Sequence, residues 1–133
     1  MFDVKSTATI DIYISGLFAI HDSTGTNAAN VKLYKTTTQT SFQGNQNNPG
    51  YWSVIGESSF NVLNNKDYVG FNDFDPIKLE AGSTQGFYFT STGTLRAMAG
   101  TPPVASDSRL EIKSPGLIFA APFVPYPNND SAL

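Results

Sequence analysis

The stretch from Pro76 to Arg96, PIKLEAGSTQGFYFTSTGTLR, constrains this chain more than any other. It reads as an apolar strand, a tight Ala81-Gly82-Ser83 turn and a strand centred on Phe87-Tyr88-Phe89. A second turn at Thr92-Gly93 and the start of a further strand follow. Alternation with a period of two, β-branched and aromatic residues and glycine-bearing turns belong to antiparallel sheet. The expectation is a hairpin that acts as a scaffold, with Phe87 and Phe89 on one face near Trp52 and Gly86, Tyr88 and Thr90 on the other.

Shorter runs of the same kind surround it. Between Thr7 and Ile20, Ala8, Ile10, Ile12 and Ile14 alternate with polar positions, predicting a half-buried strand that breaks at Ser15-Gly16 and continues as Leu17–Ile20. Val31–Lys35 alternates again, with Val31 and Leu33 inward. Ser53–Glu57 looks like the strand that carries Trp52 into the core, and Leu110–Lys113 and Leu117–Phe123 supply two more. Thr36–Gly50, rich in Asn, Gln and Thr and closed by Asn48-Pro49-Gly50, reads as the longest exposed loop. Asn64–Pro76 reads as a second loop, with Tyr68, Phe71 and Phe74 in it. Pro102-Pro103 excludes a central strand from the connection that holds it.

About seven to nine short strands with a turn signal between each predict an all-β fold, an antiparallel β-sandwich with a jelly roll as one variant. At 133 residues the chain fits a single domain, 1–133, with a proline-containing tail over 124–133. Only 14% of residues are charged, so Ser, Thr, Asn, Gln and Gly must supply most of the polar surface. The net charge of -3 and the scatter of the eight Lys and Arg residues argue against nucleic acid, which demands a clustered basic face. No segment has the length of a membrane span, so membrane insertion is not expected. The lack of cysteine removes disulfides, thiolate metal sites and cysteine nucleophiles together. Met1–Lys5 shows no basic region leading into an uninterrupted apolar stretch, so the expectation is either that there is no cleaved signal or that this is a mature or excised domain with an added Met.

Candidate chemistry is sparse. His21, followed by Asp22 and Ser23, is the only histidine, and no G-x-S-x-G elbow accompanies it. A strand-end imidazole bonding a nearby loop is the simpler reading, and no enzymatic activity is expected. Asp67, Asp73 and Asp75, with Asn65 and Asn72 between them, gather hard oxygen donors of the kind calcium takes, without the spacing of an EF-hand. The same residue types also cap turns with no ion present. Tyr51 and Trp52 beside an amide-rich loop, with Tyr68 and Asn72 on another, are the raw material of a sugar-binding platform. A buried Trp52 at the heart of a sandwich is the competing reading. Asn129-Asp130-Ser131 is a glycosylation sequon.

The succession YWSVIGES, VGFNDFDPIKLEAGSTQGFYFTSTG and SRLEIKSPG resembles a β-rich domain of predicted surface proteins of diatoms and related algae. The L-x-A-G-S/T turn before an aromatic strand is similar to that of many bacterial extracellular sandwich domains. The resemblance spans about Val31 to Gly116 and implies a surface or matrix role without transferring any functional residue. The expected function is therefore a non-catalytic structural or assembly module: a subunit of a surface layer, filament, shell or virion decoration. It would sit at a cell or virion surface, outside the cell, and join copies of itself or a neighbouring structural protein. The alternative is a carbohydrate-binding module, assisted by calcium, whose partner is a glycan.

Overall fold

A computed structural model describes residues 1–21, 28–61, 67–91, 95–96 and 105–113. Their strands are β1 (Phe2–Ser6), β2 (Ile12–Ile14), β3 (Leu17–His21), β4 (Ala28–Thr36), β5 (Trp52–Asn61) and β6 (Asp67–Phe71). They continue with β7 (Ile77–Leu79), β8 (Thr84–Ser91), β9 (Leu95–Arg96), β10 (Ala105–Ser106) and β11 (Leu110–Lys113). Helical structure among the described residues is limited to one 3-10 turn, Pro49–Tyr51. The all-β class expected from the alternation is the fold. The strands exceed the expected seven to nine because β1, β6 and β10 lie where no strand was expected.

One sheet has six strands in the order β10-β11-β1-β8-β4-β5, and every pairing in it is antiparallel. Against its inner face lie two small sheets, β2-β7 and β6-β3-β9. Val4, Val31, Leu33 and Phe87 from the large sheet meet Ile14, Ile77, Leu79 and Phe71 from the small ones, all buried, and this is the sandwich core. Phe2 stacks between Phe87 and Phe89, with ring centroids 5.6 and 6.0 Å away, extending the core along β1 and β8.

The stretch Pro76–Arg96 does hold the centre, through β8, which pairs with both β1 and β4. It is not a hairpin. β7 pairs with β2 in the opposite layer, so the turn Glu80–Ser83 is a corner between layers. That corner closes with a Ser83 N–H to Glu80 carbonyl bond of 3.0 Å and needs Gly82, whose φ of 73° a side chain would strain.

Thr7–Ile20 also departs from expectation. The first strand is Phe2–Ser6, a central strand of the large sheet, and Thr7–Asp11 is irregular before β2 begins. The chain changes layers here, crossing the roughly 10 Å between packed sheets. The crossing leaves Ile10 69% exposed rather than inward. Asn64–Pro76, read as a loop, contains β6, and Phe71 at its end is a core residue rather than a loop aromatic. Phe71 lies over Gly56, where an added Cβ would come within 2.6 Å of its ring, so the glycine makes the room. The expected strand Leu117–Phe123, the turn at Thr92-Gly93, Pro102-Pro103 and the tail 124–133 lie outside the described residues.

Trp52 is buried, but not near Phe87 and Phe89. The pairing of β4 with β5 shifts between Leu33 and Tyr34, so Leu33 faces Gly56 while Tyr34 faces Val54, and Ile55 is the extra residue of a bulge. In an unbroken strand Trp52 would share the inner face of Gly56. The bulge turns it to the outer face, because one inserted residue reverses every side chain beyond it. There it meets Tyr88 edge-on at 5.7 Å, in a second cluster with Met1 and Phe42.

Candidate functional site

Phe42 comes from Thr36–Gly50, and that segment does not hang free. Its first half runs back across the outer face of the large sheet and is bonded down at several points. The Gly86 N–H donates to the Thr40 carbonyl at 2.9 Å, and the buried Asp3 carboxylate accepts from the Phe42 N–H at 2.9 Å and from the Ser41 hydroxyl. The Trp52 indole N–H donates to the Asn45 carbonyl at 3.0 Å. Desolvation raises the Asp3 pKa above its usual 3.8, while those two hydrogen bonds and Lys113, opposite it on β11, pull the other way. Burial pushes the Tyr88 phenol up to about 12. Most of the segment is exposed, as its composition suggested, but several of its polar groups are bonded to the sheet beneath it where its backbone is covered.

Two features remain open to a partner. The first is the edge formed by β5. It ends the six-stranded sheet, runs for ten residues, and has no strand on its outer side among the described residues. Val54 on it is 52% exposed, and Tyr51 at its entry 40% exposed. The opposite edge, β10, is two residues long.

The second is a polar cleft at one end of the sandwich, between Lys35–Gln39 on the large sheet's side and Asp75–Glu80 on β7's side, with Gln85 between them. Its volume is about 610 Å³. Gln39 braces it. The Gln39 Nε2 donates to the Lys78 carbonyl at 3.1 Å, and Oε1 accepts from the Glu80 N–H at 3.0 Å and from the Ser83 hydroxyl. Backbone groups of successive residues point to opposite sides of a strand. The Ala81 N–H bonds Asp11 beside β2, so the Glu80 N–H points away from β2. The Gln39 amide thus stands where a neighbouring strand's peptide would.

The residues singled out by sequence fall in separate places. Tyr51 is exposed at the β5 entry, whereas Trp52 has its ring in the outer cluster and its N–H on Asn45, so it presents no stacking face. Asn72, Asp73 and Asp75 are exposed, and Asp75 borders the cleft. Asp67 and Tyr68 are placed by backbone only, opposite His21 and Ile20 in the β3-β6 pairing. Asn65, Asp22, Ser23 and Asn129 lie outside the described residues. No group of three or more His, Asp or Glu side chains able to hold a metal ion occurs among the described residues. No helix among them is long and apolar enough to cross a membrane.

Sequence reasoning missed Gln39, Lys35 and Gln85. Gln85 alone carried a signal, an amide at an inward position of the most apolar strand.

No protein-family model, curated protein or solved structure matches the chain.

Proposed function

We propose that the protein is a structural assembly module, whose copies join one another or a neighbouring structural protein by adding a strand to β5. The observation that carries this reading is the length and chemistry of that edge. An edge strand displays unpaired N–H and C=O groups, and monomeric proteins guard theirs with brevity, lysine, proline or bulges. β10 is guarded by brevity. β5 has ten residues with no lysine or proline, Glu57 as its single charge, and the bulge at Ile55 as its guard. Main-chain pairing along such an edge supplies affinity, and the alternate side chains supply specificity. The surface role implied by the resemblance to algal surface domains, and a location at a cell or virion surface, belong to the same proposal.

Light scattering across a concentration series tests it. The expected result is a mass that rises with concentration, and a return to the monomer mass when Val54→Lys and Ser59→Lys place two charges on the edge. A wild-type chain that stays monomeric at the highest soluble concentration would sink the reading.

A further inference from the structure

We infer that the cleft between Lys35 and Asp75 is a binding site for an uncharged, hydroxyl-rich small molecule, a saccharide of one to three units, independent of assembly through β5. The floor carries the argument. Gln85 is 2% exposed, and its Nε2 donates to the Thr36 carbonyl at 2.8 Å and lies on the Thr36 hydroxyl. A carbonyl oxygen only accepts, so this bond fixes which end of the amide is nitrogen. The carbonyl oxygen at the other end makes no hydrogen bond among the described residues. Ser6 Oγ is the one fully enclosed polar side-chain atom among them without a partner, so Gln85 Oε1 is not sealed off, and Gln85 lines the cleft. Water in the cleft therefore reaches this oxygen, and a ligand hydroxyl can take the water's place as its donor.

The walls select the ligand's charge. Lys78 is paired with Asp11 at 2.8 Å, with Glu80 at 3.8 Å, whereas Lys35 on one wall and Asp75 on the other make no ion pair among the described residues. Two lysines and two carboxylates border the cleft, Lys35 and Lys78 against Asp75 and Glu80, so its net charge is zero. An ammonium that only donates, a carboxylate that only accepts and an amide oxygen awaiting a donor all suit a group that does both, and the hydroxyl is that group. Exposed Pro76 gives the cleft an apolar patch for the C–H face of a sugar ring. The volume falls within the roughly 300–1,000 Å³ of small-molecule sites. Gln39, held at both ends of its amide, ties one wall to the other before anything binds, and a fixed site has a lower ordering cost on binding.

Titration of the 15N-labelled protein with neutral gluco-, galacto- and mannosides of one to three units, at up to about 10 mM, tests the assignment. At least one is expected to shift the backbone amides of Thr37–Gln39 and the Gln85 side-chain amide. Lys35→Met and Thr37→Val, each of which leaves the core untouched, are expected to weaken that ligand about tenfold or more with an unchanged melting temperature. Gln85→Leu is expected to abolish binding, but it also frees Thr36, so the two wall variants decide. The Val54→Lys, Ser59→Lys protein is expected to bind as the wild type does, so failure of the edge proposal leaves this one standing. No shift with any saccharide, a response confined to zwitterionic glycylglycine run at the same concentration, or full binding by Lys35→Met would each overturn it.

Discussion

The two faces of the six-stranded sheet are built from the same strands and held by different physics. Inside, Val4, Val31, Leu33 and Phe87 meet the apolar side chains of the opposing layer, and packing does nearly all the work. Outside, Met1, Trp52 and Tyr88 are covered by a polar loop that contributes one buried aromatic, Phe42, and a series of hydrogen bonds. The inner face keeps water out by area. The outer face does so with hydrogen bonds that tie the covering loop down at several points, and it is the face with a buried carboxylate. A chain with little charge and many amides can therefore roof a sheet without spending a second apolar layer.

The comparison breaks most visibly at the centre of the inner face. Leu33 is fully enclosed, and Leu33→Ala is expected to cost about 2–5 kcal/mol, the transfer of its side chain plus the cavity left behind. Thermal or urea unfolding measures it, and a loss below about 1 kcal/mol would mean that the layers close over the gap.

Gly86 probes the outer face next. A Cβ there would sit 2.8 Å from the Phe42 nitrogen and 2.9 Å from the Thr36 methyl, both parts of the roof. Gly86→Ala is expected to cost about 1–3 kcal/mol by overpacking and to lift the loop before the sheet unfolds. Amide exchange reads the distinction: Phe42 and Tyr51 should lose protection while Leu33 and Phe87 keep theirs. Equal loss on both faces would show that roof and core are one cooperative unit.

The smallest effect concerns pH and sharpens the comparison by sign. Burial raises the Asp3 pKa above 3.8. A carboxyl that holds its proton more tightly when folded contributes stability that is complete below the unfolded value and is lost as pH rises through the folded one. Asp3→Asn retains an acceptor for the Phe42 N–H without the charge. The melting temperature of Asp3→Asn minus that of the wild type is expected to climb as pH rises from about 4 toward neutral. A flat difference would show that the bonds from Ser41 and Phe42 offset the burial completely. Asp11 and Asp107, whose pKa values are lowered by a lysine partner and by backbone N–H groups respectively, lie on the surface and remain in both proteins, so the subtraction removes them.

Where the sequence was readable, it was readable through alternation. Val31 and Leu33 point inward as their spacing requires, the Glu80–Ser83 turn sits where Ala81-Gly82 placed it, and Leu110–Lys113 is a strand. Where it misled, a non-local event had intervened. Phe71 looked like a loop residue because the shape it fills belongs to Gly56, fifteen positions earlier in the chain. The candidate site was less legible still. Lys35, Gln39, Asp75 and Gln85 come from four segments with no shared pattern, and only the approach of two layers makes them neighbours.

The sequence by itself determined the all-β class, which stretch would lie at the centre, and which side of β4 would face inward. These are properties of period and composition within a few residues of each position. The tertiary structure decided that Pro76–Arg96 turns a corner instead of folding back, that Trp52 faces outward, and that an amide-rich segment becomes a roof. Each depends on how one strand registers against another, and a single bulged residue, Ile55, reverses the outcome for everything on the strand before it.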